Sequence, residues 1–338
     1  MRVADGAGTS GRAMAAAAVH SRDIGQRALM MMKAAAVALV ALAAAALIEP
    51  RVAFADGARI LVIGDSQISF GSGPVLEDFF NNLPLRCADA GLERVEAQRL
   101  QGATAGLIGV RATGLHMWLS HSAEGKKMLC EKDPTGLVNA SVWGTARHKA
   151  QWIQIGETPG FGYCRRGTSV LEALIGSEAE PPDLLVLHFM GLSAWRWSKI
   201  DNVRTDFEHL ADQLPPDMGC VVFTTAPGYT QKINGPRLAA QRHLDTVLGD
   251  GKGRCRYVPG LTTETVALIQ GRPERFYRTP AGRVKDAFHP NEGAARAFLE
   301  SRRRPLCRAI AAALPATRHT QRAGAIATVP DDVEIVRP

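Results

Sequence analysis

Short apolar runs alternate with helical patterns along most of this 338-residue chain. Strand-like runs occur at residues 59–63, 183–189, 219–224 and, more weakly, 255–258. Helical spacing of apolar residues occurs at about 74–90, 203–214, 236–249, 262–270 and 291–313. Strands that are apolar on both faces are typical of a parallel sheet, because helices cover both faces of such a sheet. The pattern predicts an α/β fold, a three-layer α/β/α sandwich around a mostly parallel sheet.

The first 55 residues have the pattern of a targeting segment. Lys33 precedes an apolar run from Ala34 to Ile48, and Ala53-Phe54-Ala55 follows as an A-x-A cleavage site. This predicts a secretory signal peptide cleaved after Ala55, and therefore a periplasmic or secreted protein. An uncleaved anchor is the weaker alternative, because a bilayer span takes about 20 apolar residues. A start at one of the methionines 30–32 would leave a signal of ordinary length.

All six cysteines follow the expected cleavage site: Cys87, Cys130, Cys164, Cys220, Cys255 and Cys307. An even number in an exported domain predicts disulfides, although the spacing leaves the pairing open. Cys220 lies within an apolar run and is the cysteine that best suits a buried free thiol. The sequence contains no C-x-x-C and no H-E-x-x-H, so we expect neither a metal nor another cofactor.

One domain is expected over 56–315, followed by a disordered polar tail at 316–338. The stretch at about 115–180, rich in glycine, tryptophan and charge, is expected to be an insertion; a substrate-facing cap and a decorative loop are equally open. Residues 56–338 carry 34 basic and 30 acidic side chains, a net charge of +4. This small excess, without a long basic run, argues against a nucleic-acid partner.

The strongest motif is Gly64-Asp65-Ser66, directly after the first strand-like run. Reactive groups gather at the carboxyl ends of parallel strands, so Ser66 is placed to act as a nucleophile. Its own N–H can face a developing oxyanion. The same three residue types also make ordinary turns and helix caps.

The second motif is Asp286-Ala287-Phe288-His289. A serine nucleophile needs a general base, and the base needs an orienting carboxylate. An Asp three residues before a His can reach Nδ1 of the ring, which leaves Nε2 for the serine hydroxyl. Taken without the first motif, His289 is equally well an exposed loop residue.

Together the two motifs resemble the G-D-S-x-S and D-x-x-H blocks of the SGNH/GDSL hydrolase family, over about residues 58–314. The resemblance implies a flavodoxin-like sheet, the catalytic residues Ser66, Asp286 and His289, and hydrolysis of acyl or acetyl esters, often on carbohydrates or lipids. It also implies an oxyanion hole that includes the Ser66 N–H and a second-block glycine. Gly114 is the first choice for that glycine and Gly109 the second.

The third block departs from the family pattern. The family has G-x-N-D after its central strand, whereas this chain has Gly191-Leu192-Ser193, with Ser193 in place of the asparagine. Loss of one oxyanion donor raises the activation barrier by roughly 3 kcal/mol. Either Ser193 or another group therefore replaces the asparagine, or the enzyme is slow.

Several nearby side chains have two interpretations. Arg111 either binds an anionic substrate or is solvated, and His188 is more simply a hydrogen-bonded core residue. Trp195 and Trp197 either stack on a sugar ring or pack in the core.

The sequence therefore predicts an exported serine ester hydrolase acting on a small-molecule or glycan ester, with no stable membrane span after cleavage. An α/β-hydrolase is excluded, because Ser66 is not followed by glycine at the second position. A non-catalytic carbohydrate-binding or scaffolding protein, and an O-acetyltransferase using the same triad, remain as alternatives.

Overall fold

The computed structural model describes residues 57–121, 140–143, 153–155, 167–176 and 181–315. These residues belong to one compact unit, Ala55–Pro338. The predicted signal peptide and polar tail lie outside the described residues, as do Cys130 and Cys164, and those expectations remain predictions. No helix within the described ranges is long and apolar enough to cross a membrane.

The described strands form a seven-stranded sheet. They are β1 (Arg59–Gly64), β2 (Thr104–Val110), β3 (Ala140–Trp143), β4 (Ile153–Ile155), β5 (Leu184–His188), β6 (Gly219–Phe223) and β7 (Arg256–Val258). Their order is β4-β3-β2-β1-β5-β6-β7. The five strands from β2 to β7 are parallel, and β3 and β4 extend the β2 edge in antiparallel fashion. The parallel part has the flavodoxin-like order, in which the strand order reverses beside β1.

The described α-helices are α1 (Gly73–Asn81), α2 (Leu83–Arg86), α3 (Arg94–Arg99), α4 (Leu115–Leu119), α5 (Val170–Ile175), α6 (Ser193–Arg196), α7 (Ile200–Gln213), α8 (Gln231–Leu248), α9 (Thr263–Ile269) and α10 (Glu292–Ala313). A π-helical turn, Ile68–Ser72, joins β1 to α1, and a short 3₁₀ helix spans Pro273–Arg275. The helix expected at 74–90 is broken at Asn82, because Pro84 has no N–H to continue the helical hydrogen bonds and lies in the first turn of a new helix, α2.

Two apolar cores lie on the two faces of the sheet. Alternate residues of β5 point to opposite faces, so Leu185 and Leu187 join one core while Leu184 and Val186 join the other. The first core packs against α4, α5, α7 and α8, and the second packs against α1 and α10. The α/β/α sandwich with a mostly parallel sheet is therefore confirmed. Helices α4 and α5, the ends of the 115–180 stretch, are part of the first core.

Two disulfides link described residues, Cys87–Cys307 and Cys220–Cys255. The expectation of disulfides is met at these four cysteines, and the alternative of a buried free thiol at Cys220 does not hold. Strand β7 pairs beside β6 with Val221 opposite Arg256, so the residues that precede this pair also lie side by side. The Cα atoms of Cys220 and Cys255 are 4.5 Å apart, which is within bonding range.

Candidate active site

Ser66 follows β1 at the carboxyl edge of the sheet, where the strand order reverses. The strand ends at Gly64, where a Cβ atom would lie 2.4 Å from the His188 carbonyl oxygen of β5. Glycine therefore lets the two backbones approach closely at this point. Ser66 is half-buried and lies at the start of the turn that leads into α1.

Asp65 anchors this turn to the neighbouring strand. Its carboxylate is buried, and one oxygen accepts the Gln67 N–H at 2.9 Å. The other oxygen accepts the N–H groups of Met190 and Gly191, at 3.1 and 2.7 Å. Three backbone donors thus compensate the buried charge and hold Ser66 in a fixed position relative to the end of β5.

The three residues of the predicted triad lie in hydrogen-bond contact. His289 Nε2 is 2.7 Å from Ser66 Oγ, and His289 Nδ1 is 2.6 Å from Asp286 Oδ2. A carboxylate can only accept, so Nδ1 carries a proton, and in the neutral form of the ring Nε2 is the acceptor that faces the serine hydroxyl. The chain of hydrogen bonds therefore has the polarity that general-base activation of a serine requires.

Asp286 is held as a carboxylate. Burial raises its pKa, but the hydrogen bond and charge of His289, together with the N–H groups of Phe288 and His289, outweigh burial and leave the pKa below its ordinary value. Those two N–H groups reach Oδ1 at 2.9 and 3.2 Å. The carboxylate is thus charged at neutral pH and fixed in orientation toward the imidazole.

A hairpin positions the Asp286–His289 segment. The Lys285 N–H reaches the Tyr277 carbonyl at 2.7 Å, and the Thr279 N–H reaches the Arg283 carbonyl at 2.8 Å. Beyond His289, the Asn291 side chain accepts the Ala294 N–H and caps α10. The loop that carries His289 is therefore anchored at both ends.

Two further contacts fasten this loop to the rest of the site. Gln67 Nε2 donates to the Phe288 carbonyl at 2.8 Å, which joins the turn that carries Ser66 directly to the loop that carries His289. The Tyr229 N–H, in the loop after β6, donates to the Ala287 carbonyl at 2.8 Å. The serine and the histidine are thus aligned by contacts independent of their own hydrogen bond.

Phe70 stacks on the His289 imidazole. Its ring centroid is 4.1 Å from that of His289, and the two planes differ by 22°. The Arg111 guanidinium carbon lies over the same ring, 4.4 Å from its centroid. Two groups stacked this closely on one ring occupy its opposite faces, so Phe70 lies between Arg111 and His289. Arg111 is therefore a neighbour of the site through Phe70.

A buried guanidinium lies within electrostatic reach of both site carboxylates. Arg237 of α8 donates to the Ala226 carbonyl at 3.1 Å. Burial lowers the pKa of Arg237, and the charges of Asp65 and Asp286 raise it. This cation offsets part of the negative charge that the two carboxylates bring to the site.

Gly109, the second choice for an oxyanion glycine, lies inside β2 and pairs with Gly64. A Cβ atom on it would lie 2.5 Å from Ile68 Cβ, and its carbonyl accepts the Ser69 hydroxyl at 2.9 Å. The close approach of Ile68 to β2 is therefore sufficient to explain why position 109 is a glycine.

Gly114 and Ser193 are brought together beside the carboxyl ends of β2 and β5. A Cβ atom on Gly114 would lie 3.0 Å from Ser193 Oγ. Ser193 Oγ accepts the Leu115 N–H at 3.1 Å, which uses its oxygen and leaves its proton for another partner. Both residues are buried and flank the strand that carries Ser66.

The remaining predicted side chains divide into core and surface. His188 is buried, and Nδ1 lies 2.9 Å from the Phe223 carbonyl oxygen, as expected of a core histidine. Burial lowers its pKa to about 4, against the opposing effects of the Asp65 charge and the Phe223 carbonyl. Trp197 is buried and donates to Asp206, whereas Trp195 is 70% exposed.

Sequence reasoning missed three contributors to the site: the anchoring role of Asp65, the Gln67 bridge and the Phe70 stack. The only indication in the sequence that Gln67 and Phe70 contribute to the site is that they lie within four residues of Ser66. Their partners lie more than 200 positions away along the chain. Neither contact follows from local spacing.

No family model matches the chain, and no curated protein matches it. A solved structure of a family two carbohydrate esterase from Clostridium thermocellum in complex with cellohexaose is 12% identical, with a TM-score of 0.37. An active-site mutant of a family two carbohydrate esterase from the same organism is 10% identical, with a TM-score of 0.36. Each alignment covers 76% of this chain and 65% of the esterase, so the chain spans less than two thirds of their length.

A peptidoglycan O-acetylesterase is 12% identical with a TM-score of 0.31, over 75% of this chain and 92% of that one. These likenesses are weak. The fold and the site rest on the strand order and the contacts described above.

Proposed function

We propose that this protein is a serine ester hydrolase of the SGNH type, with Ser66 as nucleophile, His289 as general base and Asp286 as the carboxylate that orients it. The observation that carries the proposal is the continuous chain of hydrogen bonds from Asp286 Oδ2 through the imidazole to Ser66 Oγ. A folded domain has no structural need for a half-buried serine aligned in this way at the carboxyl edge of its sheet.

In the first step, Ser66 Oγ attacks the ester carbonyl carbon while its proton moves to His289 Nε2. Asp286 stabilises the imidazolium that forms. The tetrahedral intermediate collapses as Nε2 returns the proton to the departing alcohol oxygen, which leaves an acyl-serine. The 2.7 Å contact between Oγ and Nε2 lies within the range that this proton transfer requires.

In the second step, a water molecule gives a proton to Nε2 and its oxygen attacks the acyl carbon. Collapse of this second intermediate restores Ser66 and releases the acid. We assign the oxyanion donors to the Ser66 N–H, the Gly114 N–H and the Ser193 hydroxyl. The contact of Leu115 with Ser193 Oγ supports the last assignment, because it orients the oxygen and leaves the hydroxyl proton to donate.

The proposed substrate is an acyl or acetyl ester of a glycan, met in the periplasm or outside the cell. Two disulfides support an oxidising compartment. Exposed aromatic side chains near the site support a sugar substrate: Phe288 is 55% exposed and Tyr277 is 40% exposed, and both flank Asp286.

The test is hydrolysis of 4-nitrophenyl acetate by the chain that begins at Asp56, beside Ser66→Ala and His289→Ala. Each substitution is expected to lower kcat by at least about 10³-fold, with KM changing little. Thr246→Ala, which removes an exposed hydroxyl from α8, is the matched control and should retain full activity. Equal rates in the parent and both triad variants would refute the proposal.

The alternative functions give different results in the same experiment. A scaffolding or binding protein would hydrolyse no ester and would be indifferent to Ser66→Ala. An O-acetyltransferase would transfer the acetyl group to an added sugar acceptor in preference to water, which product analysis in the presence of cello-oligosaccharide detects.

A further inference from the structure

An open cavity of about 650 Å³ adjoins the proposed catalytic triad. Its lining residues are Phe70, Tyr277, Arg278, Lys285, Asp286, Ala287 and Phe288. One residue of the proposed triad, Asp286, lines the cavity directly, and so does Phe70, whose ring stacks on His289. A ligand in this cavity would therefore lie against Asp286 and Phe70, at the edge of the proposed triad.

Two cationic side chains line this cavity, Arg278 and Lys285, one from each strand of the hairpin. Arg278 pairs with Val284 across the hairpin, and the Lys285 N–H bonds to the Tyr277 carbonyl. Over the described part of the chain, no carboxylate lies within 4 Å of either cation. Both charges are exposed and available to a ligand.

The acidic groups near the cavity are already engaged. Asp286 contacts the His289 ring and two backbone N–H groups. Glu292, whose charge reaches Tyr277, forms an ion pair with Arg296 at 2.6 Å. The cavity therefore offers two positive charges, those of Arg278 and Lys285, against one carboxylate, that of Asp286. The exposed rings of Tyr277 and Phe288 lie beside them.

We infer that the cavity binds a carboxylate on the alcohol side of the ester, so that the preferred substrate is an acylated acidic sugar such as a uronic acid residue. The exposed rings of Tyr277 and Phe288 suit the apolar face of a pyranose ring, and the side chains of Arg278 and Lys285 suit its carboxylate. This inference rests on the proposed hydrolase function and narrows its substrate. Hydrolysis would cleave the bond between the acyl carbon and the sugar oxygen, consume one water, and return the sugar hydroxyl and the free acid.

The kinetic test compares 3-carboxyphenyl acetate with its neutral analogue 3-carbamoylphenyl acetate. Each kcat/KM is divided by the rate constant of the same ester with hydroxide, which removes intrinsic reactivity. At low salt we expect the anionic ester to be preferred about tenfold, the size expected of two exposed ion pairs. Salt at 0.5 M should reduce the preference, because it screens exposed charges.

The double variant Arg278→Gln/Lys285→Gln should lose this preference, so that its corrected kcat/KM is the same for the two esters. Arg242→Gln/Lys252→Gln removes two exposed charges from α8 and the loop that follows it, and should keep the preference. Equal corrected rates for the two esters in the parent, or an unchanged preference in the cavity variant, would overturn the inference.

Binding separates this inference from the hydrolase proposal. Ser66→Ala should bind trigalacturonate more tightly than neutral galactotriose in isothermal titration calorimetry, and the cavity substitutions should abolish the difference. If this holds while the parent hydrolyses neither ester, the hydrolase proposal fails and the binding inference stands. If the parent hydrolyses both esters without discrimination and binds both trisaccharides alike, the acidic-sugar inference fails and the hydrolase proposal stands.

Discussion

Replacing Asp65 by asparagine removes one of the two carboxylate oxygens that hold the nucleophile turn to the end of β5. In the parent, one oxygen accepts the Gln67 N–H and the other accepts those of Met190 and Gly191. An amide of the same shape has a single oxygen. Its NH₂ group must therefore face at least one backbone N–H, which loses its acceptor inside the protein.

The expected loss of stability follows from the number of backbone N–H groups that lose their acceptor. Hydrogen bonds to a charged acceptor contribute roughly 1.5–3 kcal/mol each, and a buried donor left unpaired costs about as much. In the best arrangement the amide oxygen serves two donors, one bond is lost, and the others lose the assistance of the charge. We expect Asp65→Asn to lower the free energy of unfolding by about 2–5 kcal/mol, and kcat by about 100-fold because Ser66 is displaced.

Asp183 provides the matched control at the other end of the same strands. Its Oδ2 accepts the Arg59 N–H at 2.8 Å, so it joins the start of β1 to the start of β5, far from Ser66. Asp183→Asn should cost about 1–2 kcal/mol and leave kcat unchanged. Urea unfolding followed by circular dichroism and 4-nitrophenyl acetate hydrolysis measure the two effects. The reasoning is refuted if Asp65→Asn costs under 1 kcal/mol, or if Asp183→Asn reduces kcat equally.

Three further predictions follow from buried or stacked groups. The pKa of His188 falls from about 6.5 in the unfolded chain to about 4, so the unfolded chain binds more protons between these values. The contribution of His188 to the free energy of unfolding should therefore be fully present above pH 6.5, and about 3 kcal/mol of it should be lost as the pH falls toward 4. Urea unfolding of His188→Gln at a series of pH values should not show this loss. Replacing Cys220 and Cys255 by serine opens a loop of 35 residues and should cost about 4 kcal/mol in urea unfolding, with kcat of the folded variant retained. Phe70→Leu removes the stack on His289 and should lower kcat about threefold to tenfold with little change in overall stability; an unchanged kcat would show that the stack does not align the imidazole.

The sequence was sufficient for most of the sheet, because strands buried on both faces are continuous apolar runs. The strand expected at 219–224 is observed as Gly219–Phe223, and the one at 59–63 as Arg59–Gly64. Strand β2, Thr104–Val110, was not predicted from the sequence, because two glycines interrupt its apolar run. One of them, Gly109, is required by the approach of Ile68, a contact that spacing along the chain does not reveal.

The site divides in the same way. The Asp286–His289 pair is local, so a spacing of three residues was enough to predict its contact, and chain order placed Ser66 at the strand end. The supporting contacts are long-range. Asp65 reaches Met190 and Gln67 reaches Phe288 only because the fold brings separate loops to one edge. The pairing of Cys220 was likewise a matter of strand register.

The Cys87–Cys307 disulfide has a consequence for how the active site survives damage to the chain. It joins the end of α2 to α10, and so encloses 220 positions of sequence in one covalent loop. A single cut anywhere between these cysteines leaves one molecule made of two fragments, one carrying Ser66. A cut before Asp286 places His289 on the other fragment, yet the bond holds the two at an intramolecular effective concentration. A nicked protein should therefore keep the proposed esterase activity until a reductant is added, and then lose it on dilution.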